Sequence, residues 1–422
     1  MANRHFPVRP NLDQLKHQAK DLLRAIRRTD PDARADFTEH HPKSIAPGSS
    51  RLADAQLVLA RSYGLPTWPR LVTACHMTDA IWRGDVEAVR AMVLRDPRLL
   101  DEDARGVKGN WGPPMSYAAN LGQDAIIEML RGLGASDLQF AFGRACLQGQ
   151  IETARRLNVM MGNPRPLDDV LSGPAYTLNV AGTALLLELG ARLYDEHGNR
   201  LAPVETVLGT DSRKPSAKHR ILELYAEYGF QLPDTPTMAL HRGRIDLLEE
   251  HLRRDPNLLK RTFTHEEIYP PELGCHDEVQ ATHGTPLAGA TLLHMCADYD
   301  EIEIARWLLA RGMNVDERAV VDAEGFGGHT ALFSTVVSQP NFWINHHGRV
   351  PEAPFTQLLL EHGADPHVRA SLRKELHPGY GIEGMREYRD VTPLMWGEQF
   401  QFKKLVNTAA MRLISERGAE RA

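Results

Sequence analysis

The chain repeats itself. From Thr291 it reads TLLHMCADYDEIEIARWLLARGMNVDE, from Thr392 TPLMWGEQFQFKKLV, and residues 354–365 give PFTQLLLEHGAD. More worn copies run over 114–135, 140–157 and 238–256. Each begins as a short helix with small residues such as Ala118 and Ala119, which let a neighbour approach closely. A Gly or polar turn follows, and then a second helix with apolar residues along one face, as at Ile126, Met129 and Leu130. Endings such as Gly134-Ala135 and Gly363-Ala364 suit a left-handed helix C-cap. One such pair cannot bury its own apolar face, so the copies must stack on one another.

This pattern resembles the ankyrin repeat, and residues 291–317 follow its consensus nearly position by position. The resemblance spans about 78–418, is degenerate at 171–193 and 200–230, and implies an all-α, ankyrin-like helical solenoid of about nine helix pairs. Turn positions are expected at Gly84, Gly122, Gly149, Gly182, Gly243 and Asp300. The later intervals exceed the usual spacing of roughly 33 residues. The surplus lies in 254–289, 317–329 and 366–391, long finger-side insertions in the ankyrin arrangement, and in 338–353 between paired helices. Two segments result: compact repeats over 78–256 and insertion-rich repeats over 257–422.

Residues 1–77 differ in kind and read as a helical N-terminal cap. Asn11 is placed to cap a helix carrying Leu12, Leu15, Ala19, Leu22 and Leu23. Segment 30–50, with Pro31, Pro42 and Pro47, reads as looser, and Ser49 or Ser50 as the cap of a helix through Leu52, Ala55, Leu57 and Ala60. The stretch LADAQLVLARSYGLPTWPRL resembles the lead-in of bacterial ankyrin-repeat proteins. A polar-faced end cap is what a solenoid requires for solubility.

Charge and cysteine content narrow the partners. The cap holds 12 Lys/Arg against 7 Asp/Glu, while the whole chain holds 49 against 55, so everything after residue 77 is acidic. Phosphate binding needs a concentrated basic surface, and no nucleic-acid partner is expected. No apolar run approaches the roughly 18 residues that cross a bilayer, so no membrane partner is expected either. Four cysteines without a CxxC pair and a polar N-terminus point to a reduced, cytoplasmic protein.

Twelve of the 19 histidines fall between His241 and His377, mostly in or beside the insertions. Polar loops carry histidines without using them, and the resemblance gives His294 and His362 structural roles. Cys275-His276-Asp277 with His283 matches no standard ligand spacing, and His265-Glu266-Glu267 is not HExxH, so no metal and no cofactor is expected. No nucleophile elbow, P-loop or dinucleotide fingerprint occurs. Carboxylates beside imidazoles in a partly closed groove could still serve as general acid and base. For that alternative the candidates are His265, Glu266, Glu267, His276, Asp277, His283 and Tyr380, acting on a small polar substrate as a lyase, isomerase or hydrolase.

What the resemblance implies for function is binding. Positions facing the concave side are assigned to Trp82, Tyr117, Asn120, Arg144, Gln148, His241, Arg242, Asp298, Tyr299 and Trp396, with Trp343 and His347 from the 338–353 insertion. Aromatic and arginine anchors suit a protein or peptide partner and also a small polar molecule. The blander role for Trp82 and Trp396 is packing against neighbouring loops. The expectation is therefore a scaffold, with an enzyme or small-molecule binder as the alternative.

Overall fold

The computed structural model describes residues 4–43, 46–165, 167, 170–210, 212–275, 284–346, 349–376 and 384–421. The fold is all-α apart from one two-stranded hairpin, with 23 α-helices among the described residues. The chain divides into two compact units, Met1–Arg165 and Pro166–Ala422.

In the first unit, Leu12–Arg27, Pro31–His40, Leu52–Ser62 and Trp68–Trp82 close on an apolar core that includes Phe6, Leu15, Leu22, Ile26, Phe37, Leu59 and Leu71. Asn11 caps the first of these helices, its side chain accepting from Gln14 N at 3.0 Å. The segment read as loose contains a helix because Asp30 accepts from Ala33 N at 3.0 Å and Pro31 sits at the first helical position, where its missing N–H costs nothing. The cap before Leu52 is Arg51 and not a serine: the Asp54 carboxylate accepts from Arg51 N at 2.7 Å. Helix Trp68–Trp82 runs through position 77 and opens the first pair with Val86–Arg95. Two more pairs follow, Pro114–Ala119 with Asp124–Gly132 and Leu138–Gln148 with Ile151–Met160.

The second unit continues with six pairs: Ser172–Thr177 and Val180–Glu188, Val204–Gly209 and Pro215–Glu227, Pro236–His241 and Ile245–Arg254, Leu292–Tyr299 and Ile302–Ala310, Ala331–Val336 and Pro354–Glu361, Pro393–Gln399 and Thr408–Arg421. Nine helix pairs thus stand among the described residues. Helix Gln339–His346 is inserted between two paired helices. Gly84, Gly122, Gly149, Gly243 and Asp300 take the left-handed turn conformation. Gly182 does not; it lies inside Val180–Glu188, and Leu178 makes the turn at φ 51°.

The insertions are not structureless. Strands β1 (Ala370–Lys374) and β2 (Arg386–Val391) pair antiparallel, and β1 alternates buried Ala370, Leu372 and Lys374 with more exposed neighbours. Backbone bonds then join loop to loop: Phe263 N to Ala290 O at 2.8 Å, Val320 N to Gly289 O at 2.8 Å, and Gly327 N to Ser371 O at 2.7 Å. At Gly327, φ is 117° and a Cβ would lie 1.9 Å from Val320 O, so only glycine fits this crossing. Gly327→Ala is expected to cost about 1–3 kcal/mol. Hydrogen exchange should show amide protection lost at Gly327 and Asp322 while the helices of the first unit stay protected.

Candidate functional site

In the first unit, the C-terminal ends of the leading helices are already occupied. Residues 4–10 lie along them, bending at Val8 and Arg9. Arg105 donates from Nη2 to Phe6 O, and the Tyr117 hydroxyl donates to Val8 O at 2.8 Å while accepting from Trp82 Nε1 at 2.7 Å. Arg9 pairs with Asp79 at 2.8 Å and lies over the Trp82 ring at 5.3 Å. Tyr117 is buried, which pushes its hydroxyl up to about 12. Asn120 and Arg144 are buried as well, Arg144 Nε donating to Asn120 Oδ1 at 2.7 Å and its guanidinium lying over Trp111 at 5.8 Å. Gln148 is exposed.

In the second unit, three successive helix pairs meet in a buried charged cluster. Arg213 pairs with Asp298 at 3.1 Å and Lys218 with Glu301 at 2.9 Å, and all four side chains are under 5% exposed. His219 reaches over Gly243 to Glu301 at 2.7 Å. A Cβ on Gly243 would lie 2.2 Å from His219 Nδ1, so the middle turn must be glycine for that reach. Tyr299 is the hub: both Arg213 and Lys218 sit over its ring at 4.2 Å, and His241 meets it edge-on at 4.7 Å. Its hydroxyl is 2.8 Å from Leu208 O and 2.7 Å from the Tyr269 hydroxyl. Burial raises Glu301, but Lys218 and His219 more than offset this and hold it below the usual carboxylate range. Burial also lowers Lys218, against the pull of Glu301. Arg242 lies half-buried beside the cluster, bonded to Glu223 at 2.6 Å.

Three histidines are consumed by architecture. His241 Nε2 faces Ile268 O, His294 Nε2 faces His329 O and His329 Nε2 faces Pro286 O, each at 3.0 Å, so the first two rings tie their helix pairs to insertion loops and the third ties one insertion to another. Burial lowers His294 to about 4, and burial with the neighbouring His294 lowers His329 to about 3. A base whose folded pKa lies below its unfolded value of about 6.5 adds stability that is full above pH 6.5 and fades as pH falls toward the folded value. Each histidine therefore contributes a slope of about 1.4 kcal/mol per pH unit over that window. Asp300, raised to about 6 by burial and Glu301, contributes the opposite slope between about 6 and its unfolded value. A histidine-detected NMR titration is expected to find His294 and His329 still neutral at pH 5, with stability falling below pH 6 despite Asp300.

The insertion loops line an open cleft of about 700 Å³ that includes His265, Glu266, Phe263, Val320, Phe326, His329, Leu372, Arg373, Lys374 and Glu375, among others. Arg373 is fixed there by Asp322 at 2.9 Å and Glu324 at 2.5 Å. The candidates His265 and Glu266, adjacent in the sequence, both line this cleft. Glu267 lines a separate cavity of about 270 Å³ and is held by Arg261 at 2.5 Å and by Thr264 N at 2.8 Å. His276, Asp277, His283, His347 and Tyr380, and the side chain of Trp343, lie outside the described residues. Among the described residues no group of three His, Cys, Asp or Glu could hold a metal ion. The four cysteines are buried free thiols, and burial raises each.

Trp396 is fully buried, donating from Nε1 to Thr285 Oγ1 at 3.0 Å between the rings of Tyr388 and Phe400. It joins a helix pair to the end of the 254–289 insertion. Sequence reasoning missed Arg213, Lys218, His219 and Glu301, because the first three fall in a degenerate repeat and carry no motif. It also missed residues 6–9, although an aromatic-proline pair just ahead of a helix cap was visible.

Residues 288–319 match the family model described as the ankyrin repeat. Among solved structures, the ankyrin repeat domain of human ASB11 is 15% identical, covering 72% of this chain and 97% of its own length with a TM-score of 0.27. The ankyrin repeat domain of Bcl-3, described as a unique member of the IkappaB protein family, is 16% identical, covering 67% of this chain and 99% of its own with a TM-score of 0.24. No curated protein matches the chain. No helix among the described residues is long and apolar enough to cross a membrane.

Proposed function

We propose that this chain is an ankyrin-like binding scaffold, working in the cytoplasm of a bacterial cell, that recognises a protein or peptide partner along the C-terminal ends of its leading helices. One observation carries the reading: in the first unit that surface holds a non-helical peptide segment, residues 4–10, through carbonyl, aromatic and arginine contacts. The ankyrin match at 288–319 supports it. In the second unit the buried ion pairs make the equivalent surface rigid, and a preorganised surface loses less freedom on binding. Affinity capture tests the reading. Charge reversal at the half-buried Arg242, combined with Gln148→Glu, is expected to abolish retention, in a variant that circular dichroism shows folded, of a discrete protein partner that Arg131→Glu, on a second helix, leaves unaffected. Equal retention by both variants contradicts it.

A second reading is favoured by the 700 Å³ cleft, whose His265, Glu266, Arg373 and Lys374 could orient a small polar molecule for binding or acid–base chemistry. Thermal unfolding against divalent metals, sugars, nucleotides and acidic metabolites tests it, since a ligand of the native state raises the midpoint by mass action. A rise that vanishes in His265→Ala supports this reading, and a flat panel removes it.

A further inference from the structure

Residues 4–10 alternate. Phe6 and Pro10 are buried, while His5 and Pro7 face solvent. The two carbonyls taken up by side-chain donors, Phe6 O and Val8 O, are two residues apart, just ahead of and at the bend of residues 8 and 9. Phe6 packs against Tyr63 with ring centroids 5.4 Å apart, and Arg9 is gripped by the Asp79 carboxylate and the Trp82 face. These are the contacts of peptide recognition: main-chain bonds for affinity, with an aromatic pocket and an acid–aromatic clamp for specificity.

The grip is uneven. Arg9 and Asp79 are 49% and 43% exposed, and Trp82 is 36% exposed, so the arginine end is open to water. At the other end Arg105 is only 7% exposed, yet its Nε has no hydrogen-bond partner, and no carboxylate pairs with it among the described residues. Burial accordingly lowers its pKa. A buried guanidinium resting on one carbonyl is under-satisfied, because burying a charge is costly unless its donors are filled. The resident segment is therefore not the best ligand this groove can hold. Its tether, which makes its effective concentration of millimolar order, adds to the burial of Phe6, the Arg4 N–Ser62 O bond and the Arg4–Asp36 pair in keeping it in place.

We propose that the surface formed by Tyr63, Asp79, Trp82, Arg105 and Tyr117 is a recognition groove for a non-helical peptide segment carrying an aromatic residue and, three positions later, an arginine. Residues 4–10 are its resident occupant, and a partner segment of that pattern exchanges with them. This rests on the scaffold reading and names the partner segment that the first unit takes.

The probe is a fluorescein-labelled synthetic peptide with the sequence of residues 4–10, followed by anisotropy against the full chain. In the unchanged chain the tethered segment outcompetes it. Arg9→Glu, which sets two carboxylates against each other at the open end, is expected to bind the probe at least tenfold more tightly than the unchanged chain. Phe6→Ala with Arg9→Ala should do the same if circular dichroism shows it folded. Adding Tyr117→Phe to Arg9→Glu, or replacing the probe's phenylalanine by alanine, should lose the gain. Equal binding by Arg9→Glu and the unchanged chain overturns the proposal, as does a gain indifferent to the probe's phenylalanine. Neither result touches the capture test at Arg242 and Gln148, so failure of this groove and failure of the scaffold reading are separable.

Discussion

Glu301→Gln is expected to destabilise the second unit by about 3–5 kcal/mol, because it leaves Lys218 charged and buried with no counter-charge. Lys218 and Glu301 are 3% and 4% exposed and 2.9 Å apart, so water cannot replace the lost partner. Lys218→Ala should cost a similar amount, with His219 at 25% side-chain exposure left as the sole cation on Glu301. The decisive comparison is the double variant Lys218→Met with Glu301→Leu, which removes both charges and keeps the volume. It should recover most of the loss, since a buried pair exchanged for apolar side chains is often neutral. Urea denaturation followed by circular dichroism measures all three. A Glu301→Gln cost below 1 kcal/mol would mean that the cluster is hydrated and not the joint between three helix pairs described above.

Trp396→Ala should be comparably severe. The side chain is fully buried, and truncating a buried tryptophan costs about 3–5 kcal/mol. Trp396→Phe separates packing from hydrogen bonding. It keeps a ring between Tyr388 and Phe400 but abandons Thr285 Oγ1, at a cost of about 1 kcal/mol. Thr285 also bonds Val337 O through both its N, at 3.0 Å, and its hydroxyl, at 2.9 Å. Exchange at residues 284–290 should therefore rise in Trp396→Ala and much less in Trp396→Phe. If Trp396→Ala instead leaves stability unchanged and abolishes partner capture, the residue belongs to a binding surface.

These two cases show what was legible in the sequence. The helix pairs were, because a 3.6-residue apolar period and left-handed turn residues are local signals; Gly84, Gly122, Gly149, Gly243 and Asp300 all turn where expected. Leu178 was not, since Gly182 four residues later offered the more usual signal and lies inside helix Val180–Glu188. Helix Pro31–His40 was hidden by reading Pro31 as a breaker when Asp30 makes it a start. Strand β1 was hidden inside an insertion although Ala370, Leu372 and Lys374 alternate.

The site was less legible than the fold for a physical reason. Position in a repeat predicts which surface a residue approaches, but not what else reaches that surface. Tyr117, Asn120, Arg144, His241, Asp298, Tyr299 and Trp396 were all assigned to the concave side, and all are buried. Tyr117 meets the N-terminal segment, Asp298 and Tyr299 meet Arg213, and Trp396 meets Thr285. Those partners stand 109, 85 and 111 residues away from Tyr117, Asp298 and Trp396 respectively, beyond any local pattern. The histidine enrichment has the same lesson: His241, His294 and His329 are spent on carbonyls of loops 27 to 43 residues distant.

The most direct test of the scaffold reading is site-specific photo-crosslinking of the full chain in its own cells. A photoreactive phenylalanine would replace Gln148 or Arg242 at the ends of leading helices, and Arg131 or Arg306 on second helices. The account predicts a discrete protein adduct from positions 148 and 242 and none from 131 and 306. Adducts from the second helices alone, or no adduct from either surface in chains that remain folded and expressed, would contradict it.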